Sequence, residues 1–345
     1  MAKTIKAAVL VKAGKITYED RPRPKPKAGE VLIAPEFCGV CGSDVHYYYE
    51  GRIADFVVEQ PLVLGHEFAG RIVAIGRDVV NLKVGQKVAV EPGVPCRKCP
   101  LCKKGRYNLC PFVRFAGTPP ADGAFAELVT YPADFCYPLP DGVTTEDGAL
   151  AEPLTCGIHT VERARIQVGE TVAILGDGPI GLATLLAAQA AGGRVVLLTG
   201  IVPERMRIAR EMGAENVLHA TKDDVIGFSK NVEIDVAIDC AGAVSTPQTC
   251  IDIARIGGRM AIIGFAGVSS LPLNIPRAVA KELDIMTVMR YANNFPAAME
   301  LLRQKLPLAR RLITHRFGFD QIEEAFDVVH NLKDGVIKAM ICFDK

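Results

Sequence analysis

Residues Thr171–Leu175 form an uninterrupted apolar stretch that runs into Gly176-Asp177-Gly178-Pro179-Ile180-Gly181 and then into a helix-compatible run, Leu182–Ala191. No other feature restricts the fold as strongly. Glycines at the first, third and sixth positions, between a buried strand and a helix, are the context of a dinucleotide-binding turn. Gly176 permits the tight turn, Gly178 lets a pyrophosphate approach the backbone, and Gly181 allows close packing of helix on sheet. The helix start at Pro179 and Ile180 would offer unpaired N–H groups to phosphate. Downstream, strands and helices alternate: Arg194–Thr199, Glu204–Met212, Val217–His219, Asp235–Cys240, a helix near Pro247–Ile256, and Arg259–Gly264. This alternation predicts an α/β architecture, a doubly wound parallel sheet covered on both faces.

The end of the second strand of such a sheet ordinarily carries an acid for the ribose 2′-hydroxyl. Here Gly200-Ile201 stands in that place. Without the acid nothing at that position repels a 2′-phosphate, and Arg205 is a candidate partner for one. No basic residue directly follows Gly200, so NAD and NADP both stay open.

The chain before residue 155 has a different rhythm. Ala7–Val11, Val31–Phe37, Gly70–Ile75, Gln86–Val90, Phe125–Tyr131 and Phe135–Leu139 are short β-rich pieces between turns, which predicts a mostly β domain. The alternating prolines of Arg21–Lys27 read as an extended surface connector. Within this part, Cys96, Cys99, Cys102 and Cys110 share one loop rich in Lys, Pro and Gly. Two short gaps and one longer return suit a closed tetrahedral thiolate cage, which is a structural zinc site. The remaining cysteines are scattered and do not resemble a disulfide framework.

Cys41 and the adjacent pair His66-Glu67 are a second metal candidate. Thiolate, imidazole and carboxylate are the three zinc donor types, and three protein ligands leave an open, catalytic position. Such a zinc acidifies a bound alcohol or water and polarises a carbonyl. Glu152, in Ala151-Glu152-Pro153-Leu154, is a further acid able to bind zinc directly or hold its water. Ser43 and His46 follow Cys41 closely and suit a relay that carries an alcohol proton to solvent; Ser43 equally suits a helix cap.

Charge limits the partners. Lys+Arg 40 against Asp+Glu 39 leaves a net charge of +1, with no footprint for nucleic acid or a membrane surface. The start, Met1–Lys6, has no apolar core of a signal peptide, and no apolar run nears the roughly 20 residues of a membrane span. A cytoplasmic, reducing setting is the expectation.

With these motifs in hand, the chain resembles the zinc-containing medium-chain dehydrogenases, and within them the sorbitol (polyol) dehydrogenases. The resemblance rests on Cys41-Gly42-Ser43-Asp44-x-His46, Gly65-His66-Glu67, the four-Cys lobe and the Gly-rich turn. It extends to Glu152, Phe115–Gly123, Phe135–Asp141 and Met289–Pro296. It implies a GroES-like catalytic domain over 1–155, with the zinc lobe at 96–110, completed by 290–345. A Rossmann domain over 156–289 would carry NAD or NADP, with substrate in the cleft between the two. Catalytic zinc would be held by Cys41, His66 and Glu67, with Glu152 close by through water. Phe115, Thr118, Arg290, Tyr291 and Tyr47 would line a polyol pocket. The implied reaction is reversible oxidation of a secondary hydroxyl to a ketose, with Ser43 and His46 removing the proton. Rival readings are a sugar acid, polyol phosphate, threonine or other secondary alcohol on the same machinery. From another class, the rival is a catalytically silent zinc- and nucleotide-binding sensor. Members of the family assemble as dimers or tetramers, and the apolar stretch 262–273 is a candidate contact. Two departures stand out: Gly200 replaces the usual acid, and all four lobe cysteines are present, unlike many animal sorbitol dehydrogenases.

Overall fold

The computed structural model describes residues 3–268 and 270–343. The chain divides into two compact units, one of Met1–Glu152 with Phe295–Lys345 and the other of Pro153–Asn294.

In the first unit the strand Glu30–Gly39, buried along most of its length, is the axis of the largest sheet. On one side lie Glu67–Ile75, Lys87–Val90 and Cys136–Pro138; on the other lie Lys338–Cys342 and Ile313–Gly318, and Val129–Pro132 also pairs with the axis strand. The register sets Gly39 opposite Glu67 and Met340 opposite Gly39, which brings the C-terminal strand alongside the end of the axis strand. The axis and Glu67–Ile75 pack closely because Gly70 has no side chain: a Cβ there would lie 2.1 Å from the Ala34 carbonyl oxygen. The core beneath is aromatic and aliphatic, with Phe68, Phe125, Phe326, Leu10, Ile33 and Ile72 nearly free of solvent.

Two local expectations change. Within Phe125–Tyr131 the regular strand is only Val129–Pro132. Phe125 instead pairs its backbone with Ala8 and Leu64, at 2.9 and 3.0 Å, stitching two distant segments together. Ser43, read from sequence as suited to a helix cap, lies inside the helix Gly42–Glu50. The N-cap of this helix is Cys41 rather than Ser43, with the Asp44 carboxylate accepting from the Cys41 N–H at 3.0 Å, and Gly51 ends it at a left-handed φ of 69°.

The second unit is a six-stranded, wholly parallel sheet. Its order is Val217–His219, Arg194–Gly200, Thr171–Leu175, Ile234–Asp239, Ala254–Ile262 and Asp284–Thr287. Numbered along the chain this is 3-2-1-4-5-6, the doubly wound order, whose switch point lies between the first and fourth strands. The fifth strand starts earlier than the sequence pattern predicts. The preceding helix stops at Ile253, and Ala254 is already extended.

The four-Cys lobe is tied to the β unit through a buried acid. Glu91, 1% exposed, accepts from Tyr107 Oη at 2.7 Å and Tyr137 Oη at 3.0 Å. Burial pushes its carboxyl up to about 6, with the two tyrosine hydrogen bonds opposing. An acid whose folded value is raised contributes stability below its unfolded value and loses it as pH rises through the folded one. The shift from 4.5 to about 6 corresponds to roughly 2 kcal/mol. Glu91→Gln is therefore expected to leave stability unchanged at pH 4 and to raise it by up to about 2 kcal/mol above pH 7. Denaturant unfolding of the two proteins across that range measures the difference.

Candidate active site

Cys41, His66 and Glu67 come from the two strands that the Gly39–Glu67 register places side by side. Cys41 follows the end of the first strand, and His66-Glu67 begins the second. Their ligand atoms lie within 4.8 Å of one another, and His66 and Glu67 are buried.

Asp44 fixes this arrangement. One carboxylate oxygen accepts from the Cys41 N–H at 3.0 Å, and the other accepts from the Gly65 N–H at 3.0 Å and lies 3.5 Å from His66 Nδ1. With Nδ1 facing this carboxylate, Nε2 is left as the metal-binding nitrogen. Burial alone would lower the His66 pKa, but the Asp44 and Cys41 charges outweigh it and raise the imidazole well above its ordinary value. The pocket thus favours a cation beside its donors. Glu67 is held from the opposite side by Lys338, which is 2% exposed and donates to Glu67 Oε1 at 2.6 Å and to the Val40 carbonyl at 3.0 Å. Gly39 makes room for the pair: a Cβ there would fall 2.2 Å from Glu67 Oε2. One half-buried thiol with a buried imidazole and a buried carboxylate, converging, fits a zinc ion with a position left open.

The four lobe sulfurs also lie within 4.8 Å of one another. Cys99 and Cys102 Sγ are 3.4 Å apart, and Cys96 and Cys102 Sγ 3.9 Å. These separations far exceed a disulfide bond and match the edge, about 3.8 Å, of a tetrahedron with zinc–sulfur bonds of about 2.3 Å. The Lys98 backbone N–H leads in pulling the Cys96 thiol down to about 6. Desolvation, followed by Cys99 and Cys110, pushes Cys102 up to about 12. Four thiols this close compete to ionise, and a bound cation is what lets all of them do so. The cage has no open position.

In the parallel unit the Gly-rich turn has the shape its residues imply. Gly176 has a φ of 130°, and a Cβ on Gly181 would lie 1.9 Å from the Gly176 carbonyl. A Cβ on Gly178 would meet nothing nearer than Arg205 Nη1 at 4.0 Å, so the backbone there is open to a ligand. The helix Pro179–Ala190 begins immediately after, with Pro179 and Ile180 in its first turn. The turn fits a dinucleotide pyrophosphate.

Comparison with known proteins decides the family. Residues 27–141 match the alcohol dehydrogenase GroES-like domain, and residues 179–304 match the zinc-binding dehydrogenase family. The sorbitol dehydrogenase of Bacillus subtilis is 40% identical over 98% of this chain and 97% of its own length. The chain belongs to the zinc-containing medium-chain dehydrogenases. Within them it is sorbitol-dehydrogenase-like. An Escherichia coli alcohol dehydrogenase complexed with NADH superposes with a TM-score of 0.91 at 28% identity, covering 99% of this chain and 100% of that one. A zinc-binding dehydrogenase of Sinorhizobium meliloti bound to NADP does so at 0.90 and 30%, again covering 99% and 100%.

The other residues expected from the sequence to serve the site fall as follows. Ser43 and His46 lie three residues apart on the helix Gly42–Glu50; His46 is exposed and its Nδ1 pairs with Glu50 at 2.7 Å. Glu152 is buried in the first turn of Ala151–Ala164, and its charge is felt at Lys338. Phe115 is buried edge-on to His66, with ring centroids 5.3 Å apart, and Thr118 is part-exposed on the same loop. Tyr47, only 2% exposed, belongs to the hydrophobic core of the first unit. Arg290 and Tyr291 lie in the second unit, Arg290 at a left-handed φ of 50° and Tyr291 buried. Gly200 ends its strand, and Arg205 is buried in the helix Pro203–Glu211. Sequence reasoning missed Asp44 and Lys338. Asp44 was signalled by its place three residues after Cys41, where a capping acid belongs; Lys338 had no local signal.

Removing one partner of a buried ion pair costs about 3–5 kcal/mol. Lys338→Met is expected to lower the thermal midpoint strongly in chelator-treated enzyme and much less in zinc-replete enzyme, where the metal takes over the balance of Glu67. Calorimetric scans with and without zinc read the difference; an equal loss in both would sink the account.

Proposed function

We propose that the enzyme oxidises a secondary hydroxyl of a polyol to a ketone, reversibly, with a nicotinamide dinucleotide and two zinc ions per subunit. The observation that carries the reading is the convergence of Cys41 with the buried His66 and Glu67, with donor atoms within 4.8 Å of one another. When bound, the zinc supplies Lewis acidity at the reacting oxygen and the nicotinamide supplies a hydride acceptor.

The residues do the rest. Asp44 holds the His66 ring and the Cys41 backbone at fixed positions, so little reorganisation is needed when substrate arrives. Glu152 holds a water or a substrate hydroxyl beside this set. Ser43 takes the alcohol proton, and His46, exposed and steadied by Glu50, delivers it to solvent. Phe115 forms an apolar wall against His66, while Thr118, Arg290 and Tyr291 address the neighbouring hydroxyls of the substrate. Leaving such polar groups unpaired against an aliphatic alcohol costs about 1–3 kcal/mol each, which favours a polyhydroxyl substrate. The Bacillus subtilis relative, a sorbitol dehydrogenase, supports the same substrate class. The enzyme is also read as an oligomer whose subunits meet through 262–273. Phe265 and Val268 there are 69% and 52% exposed, and residue 269 lies outside the described residues.

Initial rates with polyols, sugar acids and simple secondary alcohols, each with NAD and NADP, test the reading. Turnover is expected with a polyol, to be abolished by a chelator and restored by zinc. Arg290→Ala is expected to raise KM for the polyol about tenfold, the scale of one lost charged hydrogen bond. Zinc-loaded enzyme that binds cofactor and turns over nothing in the panel would favour the silent sensor.

A further inference from the structure

The strand Arg194–Gly200 ends without the acid that would receive a ribose hydroxyl, yet a carboxylate occupies that place. It comes from the neighbouring turn. Asp177, between the first two glycines of the fingerprint, is 5% exposed. Its Oδ2 accepts from the Ile201 and Val202 N–H groups, both at 3.0 Å. A Cβ on Gly200 would lie 2.3 Å from that same oxygen and 2.6 Å from Asp177 Cγ. The space that a side chain at 200 would use is therefore already filled by Asp177. The two positions are exclusive: Asp177 requires glycine at 200.

We propose that Asp177 is the cofactor-selecting residue of this enzyme, accepting the adenosine 2′-hydroxyl of NAD(H) and excluding the 2′-phosphate of NADP(H). The assignment rests on the reading that the enzyme uses a nicotinamide dinucleotide. Three observations support it. First, Oδ1 makes no hydrogen bond among the described residues, so it remains available to a hydroxyl donor. Second, the Ile201 and Val202 amides stand at the head of the helix Pro203–Glu211, where a 2′-phosphate would seek its donors. Asp177 already holds both, and a phosphate would have to displace it and then lie beside its negative charge. Third, Arg205 is 7% exposed, and its buried Nε has no hydrogen-bond partner. Its Nη1 lies 4.0 Å from the Cβ position of Gly178, which puts the guanidinium beside the open turn. Burial pulls the Arg205 pKa down, and the Asp177 charge opposes this. Arg205 is thus left to face the phosphate turn, while Asp177 decides what the ribose may carry.

The test is calorimetric titration of the zinc-loaded enzyme with NADH and with NADPH, which needs no turnover. The unaltered enzyme is expected to bind NADH at least tenfold more tightly, the scale of one hydrogen bond to a charged group. Asp177→Asn keeps the shape and one acceptor for the amides while removing the charge, and is expected to lower the NADH-to-NADPH affinity ratio about tenfold. Asp177→Ala combined with Gly200→Asp returns the acid by the other route and is expected to restore NADH preference. Gly200→Asp alone sets two carboxylates in one space and is expected to weaken both dinucleotides. An unaltered enzyme that prefers NADPH, or an affinity ratio unmoved by Asp177→Asn, would overturn the assignment while leaving dinucleotide use intact. Failure of the unaltered enzyme to bind either dinucleotide would overturn the cofactor reading and the assignment with it.

Discussion

The end of the first unit where Cys41, His66 and Glu67 converge depends on one carboxylate. Asp44 reaches the backbone of Cys41, the backbone of Gly65 and the ring of His66, three groups from two segments that the sheet register only brings near. A sheet fixes strand ends to within a residue but does not orient a side chain. A carboxylate that spans three partners does, because moving any one partner strains the other two. Donor placement and ring orientation therefore share a single cause. The helix Gly42–Glu50 shares it too, since the same carboxylate caps its first turn.

Charge balance is the second constraint. Glu67 and Asp44 place two carboxylates in a nearly dry space; Lys338 answers Glu67 directly, and the His66 imidazole faces Asp44. Burial would favour a neutral Lys338 amine, but Glu67 and Cys41 reverse that and hold it above its ordinary value. Desolvating a lone ammonium is expensive, so this lysine persists only because the acid faces it. The pair also explains Gly39, whose missing side chain admits both. In the other unit Gly200 yields its space to Asp177 in the same way.

The parallel unit was legible in the sequence because its periods are local: an apolar strand, glycines at fixed spacing, and then a helix. Cys41, His66-Glu67 and the four lobe cysteines were legible because metal donors occur in short motifs with characteristic spacing. Lys338 was not, since it acts on a residue 271 positions away, and nothing near it in sequence says so. Asp177 was visible as a letter, but its role was not. Reading the second strand by its own last residue treats the strand end as self-contained, whereas the structure fills it from next door. The strand expected from Phe125 failed for a similar reason. Its backbone is committed to Ala8 and Leu64, partners that periodicity cannot name.

The loop that carries Phe115 and Thr118 is fastened to the residue just before His66. The Gly123 N–H bonds the Val63 carbonyl at 2.7 Å, and the Ala124 N–H bonds the Gly65 carbonyl at 2.8 Å. A Cβ on Gly117 would come within 3.0 Å of the Gly65 nitrogen, and one on Gly123 within 2.3 Å of its oxygen. The loop cannot change length or path without dragging the imidazole with it. Change in this loop is thereby channelled into exchanging side chains on a fixed rail. Insertions, the usual source of novelty in surface loops, are closed to it there.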